Sequence, residues 1–452
     1  MRPKKSEEEG IQGDLYRAQL SSQLNSKHEL FVLAAAIDWA GLDEALGDRY
    51  VSERGRPALP TRLLVGLHYL KYAYDESDES VCARWVENPY WQHFCGYETL
   101  QHDLPMHPTS MTRWRQRMGP ERIEALLQQT VVVAQRQGHL NKNSLKRVNV
   151  DTTVQPKAVA FPTDARLADT ARRALVRAAG HRGIELRQSY VRVGKKALFE
   201  HSRYARARQF KRANRHLRKL RTYLGRVLRD IERKCPEPDP ELRDLMQVCG
   251  RIHEQRRTDR KKVYSVHAPE VECIAKGKAH KKYEFGVKVS MATTSKDNWV
   301  VGAQALHGAP FDGHTLVGQL QQVERLSGQL PNDTFVDRGY RGAPSRVAQS
   351  FDGAVAVHLP KARRKVPRGL YRWMRRRSAI EPVIGHMKSD HRMERNPLKG
   401  VSGDQVHALL CAAGFNFRKL LRLAALWRAW LRFHALLTAL QSRRTPLQLP
   451  FP

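Results

Sequence analysis

The spacing of apolar positions changes period along the chain, and those changes divide it into parts. The run LFVLAAAI at Leu30–Ile37 predicts a core helix. Between Pro60 and Tyr74, Leu63, Leu64, Leu67 and Leu70 recur on one helical face behind a Pro–Thr start. Glu79 to Phe94 is rich in aromatic residues: Trp85, Tyr90, Trp91 and Phe94. In HPTSMTRWRQRM, Thr109 or Ser110 suits an N-cap. Ile123, Leu126, Leu127, Val131 and Ala134 then mark a further amphipathic helix, which Gly138 ends. These features predict a loose tail over 1–27 and a helical domain over 28–142.

At Val148 the period shortens. RVNVDTTV is rich in β-branched residues and predicts a strand with Asp151 near its end, closed by Pro156 and Pro162. Residues 165–262 return to helix. YEFGVKVSMATT and WVVGAQALHG, separated by SKDN, predict a hairpin. Asp312 to Leu326 is an amphipathic helix, DTFVDRGYRG a strand that ends on Asp337, and AVAVHLP another strand. Next comes RRRSAIEPVIGHMK, where Ile380, Val383, Ile384 and Met387 form a buried stripe. On a continuous helix Arg377, Glu381 and Lys388 fall within roughly 40° of one another beside it. Pro382 implies that the helix begins near Glu381. A helical tail from Gln405 to about Leu440 closes the chain.

This succession is that of a ribonuclease H-like core, an α/β fold with a mixed sheet. Residues 143–164 and 263–400 would form its two parts, 165–262 a basic helical insertion between the first and second strands, and 401–452 a C-terminal helical tail. In such a core the first strand is central, the fourth lies beside it, and the last helix packs across. Asp151, Asp337 and Glu381 would then converge. Each has a simpler reading. Asp151 and Asp337 could begin turns, and Glu381 could belong to a surface ion pair. Asp164, which suits an N-cap, and Asp333 compete for the same roles.

Charge adds a partner. The 452 residues carry 79 Lys plus Arg against 45 Asp plus Glu, a formal net charge of +34. Spread over the whole chain, that excess favours nucleic acid over a membrane surface. Between Arg203 and Arg229 there are 11 Lys or Arg and no acid, a pattern suited to phosphate contact through residues such as Lys211 and Arg212. Lys361 to Arg377 adds nine more, again without an acid. Arg113, Arg115 and Arg117 around Trp114 resemble the basic start of a recognition helix, or else a solvated helix face.

No run approaches 20 apolar residues, since Arg422, Arg428 and Arg432 interrupt Leu420–Leu440. MRPKKSEEEG has no apolar segment and does not read as a signal peptide. The six cysteines form no CxxC pair, and Cys273 with His267 and His280 is the nearest approach to a ligand cluster. A reduced cytosolic protein is the expectation.

Several strings resemble the DDE transposases of bacterial insertion sequences, in particular those with a Tyr–Arg–Glu–Lys signature. They are GRPALPTRLLVGLHYLKYAY, WVENPYWQHFCG, VDTTVQPKAVAFPTDARL, HAPEVECIAKGKAHKKYEFGVKV, VDRGYRG and IEPVIGHMKSDHRMERNPLKG. The resemblance implies that Asp151, Asp337 and Glu381 bind Mg²⁺, with Mn²⁺ substituting, and that two ions assist the reaction. It implies that Arg377 and Lys388 hold phosphates of the transposon end, with Arg338 adjoining Asp337. The signature tyrosine falls on Met374, so Tyr371 or Trp373 would have to supply its contact. The implied partners are double-stranded DNA, as transposon ends and target, and further copies of the chain in a dimer or larger assembly. A transposase-derived DNA-binding repressor without chemistry and a structure-specific nuclease on the same core are the rival readings.

Overall fold

The computed structural model describes residues 18–47, 58–275, 282–360 and 366–442. Among the described residues eight helices come first: α1 Leu20–Gln23, α2 Glu29–Ala36, α3 Trp39–Gly47, α4 Thr61–Ala73, α5 Asp78–Glu87, α6 Pro89–Phe94, α7 Thr109–Arg136 and α8 Lys142–Leu145. Their ends follow local chemistry. Ser77 and Ser80 form a reciprocal capping pair at the start of α5. Asn88 caps α6, with Pro89 at the first helical position. Within α7, Gly119 takes a left-handed φ of 69° ahead of Pro120 and breaks the helix into a basic half and an apolar half. Part of the predicted tail is packed, since Leu20 is buried; residues 1–17 lie outside the described residues.

Strand β1 (Arg147–Pro156) follows, then four insertion helices: α9 Asp164–His181, α10 Val191–Arg206, α11 Phe210–Lys234 and α12 Pro240–Glu254. The remaining elements are β2 Glu272–Ala275, β3 Tyr283–Thr294, β4 Val300–Leu306, α13 Asp312–Ser327, β5 Asp333–Phe335, α14 Ala343–Ser350, β6 Ala356–His358, α15 Arg368–Arg376, α16 Ile380–Asp390 and α17 Gly400–Ser442. β1 is antiparallel to β3 and parallel to β5, which is parallel to β6. On its far side β3 pairs with β2 along its first half and with β4 along its second. This is a ribonuclease H-like α/β arrangement, with the first strand central as expected. β1 and β3 approach so closely at Gly286 that a Cβ there would collide with the Gln155 carbonyl.

One apolar core joins the N-terminal helices, the sheet, α13, α16 and α17. Inside it Asn416 of α17 donates to the Val300 carbonyl, accepts from the Val300 N–H, and donates to Thr130 Oγ1. That buried amide ties α17 to β4 and α7 with its polar atoms satisfied. A second core lies within the insertion, where Leu220, Leu224, Val227, Leu228 and Ile231 of α11 are buried. Lys211, Arg212, Arg215, Arg218 and Lys219 of the same helix remain exposed. No described helix is long and apolar enough to cross a membrane.

Two strand expectations need correction. β1 runs on to Pro156, so Asp151 is mid-strand, paired with Met291. β5 stops at Phe335, two residues before Asp337. β2 was not foreseen, because four residues are too few to display an alternating pattern.

Candidate active site

Asp151 sits on the central strand, where the backbone can bring its carboxylate to the edge of the helical layer. Its Oδ1 accepts from the Thr152 N–H at 2.8 Å. Burial pushes the Asp151 carboxyl up to about 6 despite that bond. The charges of Asp337 and Glu381 push in the same direction, while Arg377 opposes them. Asp337 and Glu381 thus lie near enough to act on the Asp151 charge. β1 continues past Asp151, so this residue does not begin a turn.

Asp337 lies beyond β5 and caps the 3₁₀ turn Arg338–Tyr340, accepting from the Gly339 N–H at 2.9 Å. The turn reading of Asp337 therefore holds alongside its place in the acidic group. Gly339 fits closely there. A Cβ on it would lie 3.0 Å from Asp337 Oδ1 and 3.1 Å from Asp312 Oδ2, so Asp312 is a fourth carboxylate at this edge. Asp312 Oδ1 accepts from Thr152 Oγ1 and from Lys288 Nζ, each at 2.9 Å. Tyr340 is fully buried under the group, with the Ser290 hydroxyl beside its own. Burial, then the charges of Asp151, Asp312 and Asp337, hold that phenol well above its ordinary value.

Glu381 begins the first turn of α16, and Pro382 is tolerated because the helix starts at Ile380. Ile380, Val383 and Met387 are buried, with Ile384 packed beside them, as the stripe predicted. Arg377 lies in a 3₁₀ turn before α16, so the wheel argument does not strictly apply to it. Its guanidinium nevertheless reaches both acids, 3.5 Å from Asp151 Oδ2 and 3.5 Å from Glu381 Oε1. The approach to this turn is anchored. Asn149 Nδ2 donates to the Arg376 carbonyl at 3.2 Å, and Arg376 Nε donates to the Ser295 carbonyl at 2.6 Å.

Three carboxylates without nitrogen or sulfur suit a hard, oxygen-preferring cation. The guanidinium between Asp151 and Glu381 already answers that need for positive charge. Among the described residues no three His, Cys, Asp or Glu side chains close into a ready cage. Glu381, its side chain 63% exposed, turns to Arg377 and solvent instead. His280 of the Cys273 and His267 grouping lies outside the described residues. The competitors do not converge either. Asp333 pairs with Arg147 and His358 at the start of β5. Asp164 sits near Arg221 and Lys262 while Thr163 caps the helix.

Of the predicted phosphate contacts, Arg113, Lys211, Arg212 and Arg338 are exposed. Lys388 lies two turns along α16 from Glu381, on the same helical side. Arg115 does not fit the expectation. Its side chain is only 4% exposed and grips Asp78 with two bonds, of 2.9 and 2.6 Å, while facing His68. Burial would raise the Asp78 carboxyl, but Arg115 and Lys71 hold it well below its ordinary value. Met374 is half-buried, Trp373 is covered by the Arg147 guanidinium at 4.9 Å, and Tyr371 is exposed.

Sequence reasoning missed Asn149, Asp312, Arg376 and Tyr340. The pattern VDRGYRG placed Tyr340 three residues from Asp337, but nothing local marks a side chain that turns inward beneath an acid.

Comparison with known proteins points to a family. The family described as "Transposase domain (DUF772)" matches residues 18–117. The family described as "Transposase DDE domain" matches residues 354–421, a span that holds Arg377, Glu381 and Lys388. A protein of Rhizobium meliloti described as "Uncharacterized protein ORF8 in nfe locus" is 54% identical over 197 residues, covering 44% of this chain and 95% of the relative. No solved structure matches the chain. With acids on β1, just after β5 and at the start of α16, and with both family matches, the chain belongs to the insertion-sequence DDE transposases.

Proposed function

We propose that the protein binds the inverted-repeat ends of an insertion sequence, hydrolyses a phosphodiester at each end, and joins the freed 3′-hydroxyls to target DNA. The observation that carries this reading is that one guanidinium, Arg377, bridges Asp151 and Glu381, with Asp337 near enough to act on the Asp151 charge. Asp151, Asp337 and Glu381 would hold Mg²⁺, or Mn²⁺ in its place. When bound, such ions activate the attacking water or 3′-hydroxyl and stabilise the leaving oxygen. Arg377 neutralises the acids in the free protein and, with Lys388, holds a phosphate beside the scissile bond. Arg338 contacts the backbone next to Asp337. Lys211 and Arg212 of the insertion and Arg113 of the N-terminal helices extend the contact along double-stranded DNA in the bacterial nucleoid.

A DNA-binding repressor without chemistry is the second reading, and the outward turn of Glu381 favours it. One experiment separates the two. Purified protein is incubated with Mg²⁺ or Mn²⁺ and DNA bearing the element's ends, for wild type, Asp151→Asn, Asp337→Asn and Glu381→Gln. Cutting by wild type, at least about 100-fold faster than by each variant, with binding unchanged within about threefold, supports the transposase. Tight binding without cutting by the wild type supports the repressor.

A further inference from the structure

Beyond Leu423 the last helix carries large apolar side chains into solvent. Leu426 is 65% exposed, Trp427 61%, Trp430 51%, Phe433 60% and Leu437 39%. Leu423, Leu426, Trp430, Phe433 and Leu437 are spaced three, four, three and four residues apart, which is the seam of a heptad repeat. The indole rings of Trp427 and Trp430 stack at 5.1 Å, and Trp430 meets the His434 ring at 5.3 Å. Between Leu423 and Ser442 the only charged residues are Arg428 and Arg432, and neither falls on the seam.

We propose that this stripe is a self-association seam, on which α17 of a second copy of the chain packs by knobs into holes. Leu426, Trp430, Phe433 and Leu437 of the seam, with Trp427 beside it, are each between about two-fifths and two-thirds exposed and together offer roughly 500 Å² per protomer. Paired with an identical stripe they bury on the order of 1,000 Å², enough for a specific interface. A seam without charge faces its own copy without repulsion along the contact. An anionic bilayer is a poorer occupant, because it would draw on free cations flanking the apolar face. Arg428 is instead tied back to Glu29 of α2 at 3.2 Å. Two molecules of charge +34 repel one another at long range, so association strengthens as salt screens them. DNA binding has the opposite salt dependence.

The inference does not rest on the reaction proposed above, and its test contains no DNA, so its failure leaves that reading untouched. Sedimentation velocity of the full chain across the low-to-middle micromolar range, at moderate and high salt, is compared with that of Trp430→Glu/Phe433→Glu. Both replaced side chains face solvent, so circular dichroism and Tm should be unchanged. The expected result is a wild-type dimer favoured by salt, and a variant whose self-association is at least about tenfold weaker. A wild type that stays monomeric throughout overturns the proposal, as does a variant that dimerises equally well. So does a monomeric wild type that pellets with vesicles of equal parts phosphatidylserine and phosphatidylcholine while the variant does not.

Discussion

Asp151 is held at a cost that the free protein can be made to reveal. Its carboxyl titrates near 6 in the folded chain, against an ordinary value of 3.8. A raised carboxyl favours the protonated folded state, so ionisation weakens folding as pH rises from about 4 to about 6, and fully above that. Asn cannot ionise. With divalent cations chelated, Asp151→Asn should therefore exceed wild type in stability at pH 8, by on the order of 2 kcal/mol, and lose that advantage near pH 4. Denaturant titrations at both pH values measure it; equal stability at both would mean that the acids are not crowded. A second test concerns Arg115. Removing it leaves the partly buried Asp78 with Lys71 but without its two-bond guanidinium partner, so Arg115→Ala should cost about 3 kcal/mol in denaturant unfolding. Arg113→Ala, at an exposed position, should cost less than about 0.5 kcal/mol. The sequence did carry the signal for Arg115. It lies four residues from Met111 and three from Met118, on the same helical stripe as Trp114. The basic run around it hid that spacing.

At the scale of elements, what was legible followed from length and period. The Glu381 helix, the β3–β4 hairpin and α17 each show enough periods to declare themselves. β2, of four residues, does not, and β5, of three, was legible only as a longer strand than it is; their pairing is decided by β3 and β1. The basic insertion was legible as helix because α11 alternates buried leucines with exposed cations. That alternation supports a quantitative expectation. If Lys211 and Arg212 each neutralise a phosphate, removing both by Lys211→Ala/Arg212→Ala should flatten the slope of log affinity against log salt by about 1.8. Binding titrations over a range of salt provide the slope. An unchanged slope would take this end of α11 away from DNA.

For the whole molecule, the sheet order explains why residues far apart in sequence meet. β1 lies between β3 and β5, and the anchors from Asn149 and Arg376 bring the start of α16 over it. The order of elements was enough to anticipate that meeting. The side-chain details were not, because the turn of Glu381 toward Arg377 depends on packing that no local pattern encodes. The most direct test of the central claim uses the gene with its native flanks on a reporter plasmid, scoring excision and insertion for wild type and Glu381→Gln. Movement by wild type alone, with short target duplications at new sites, is the predicted result. Equal movement by both would remove Glu381 from the chemistry and contradict the account of the site.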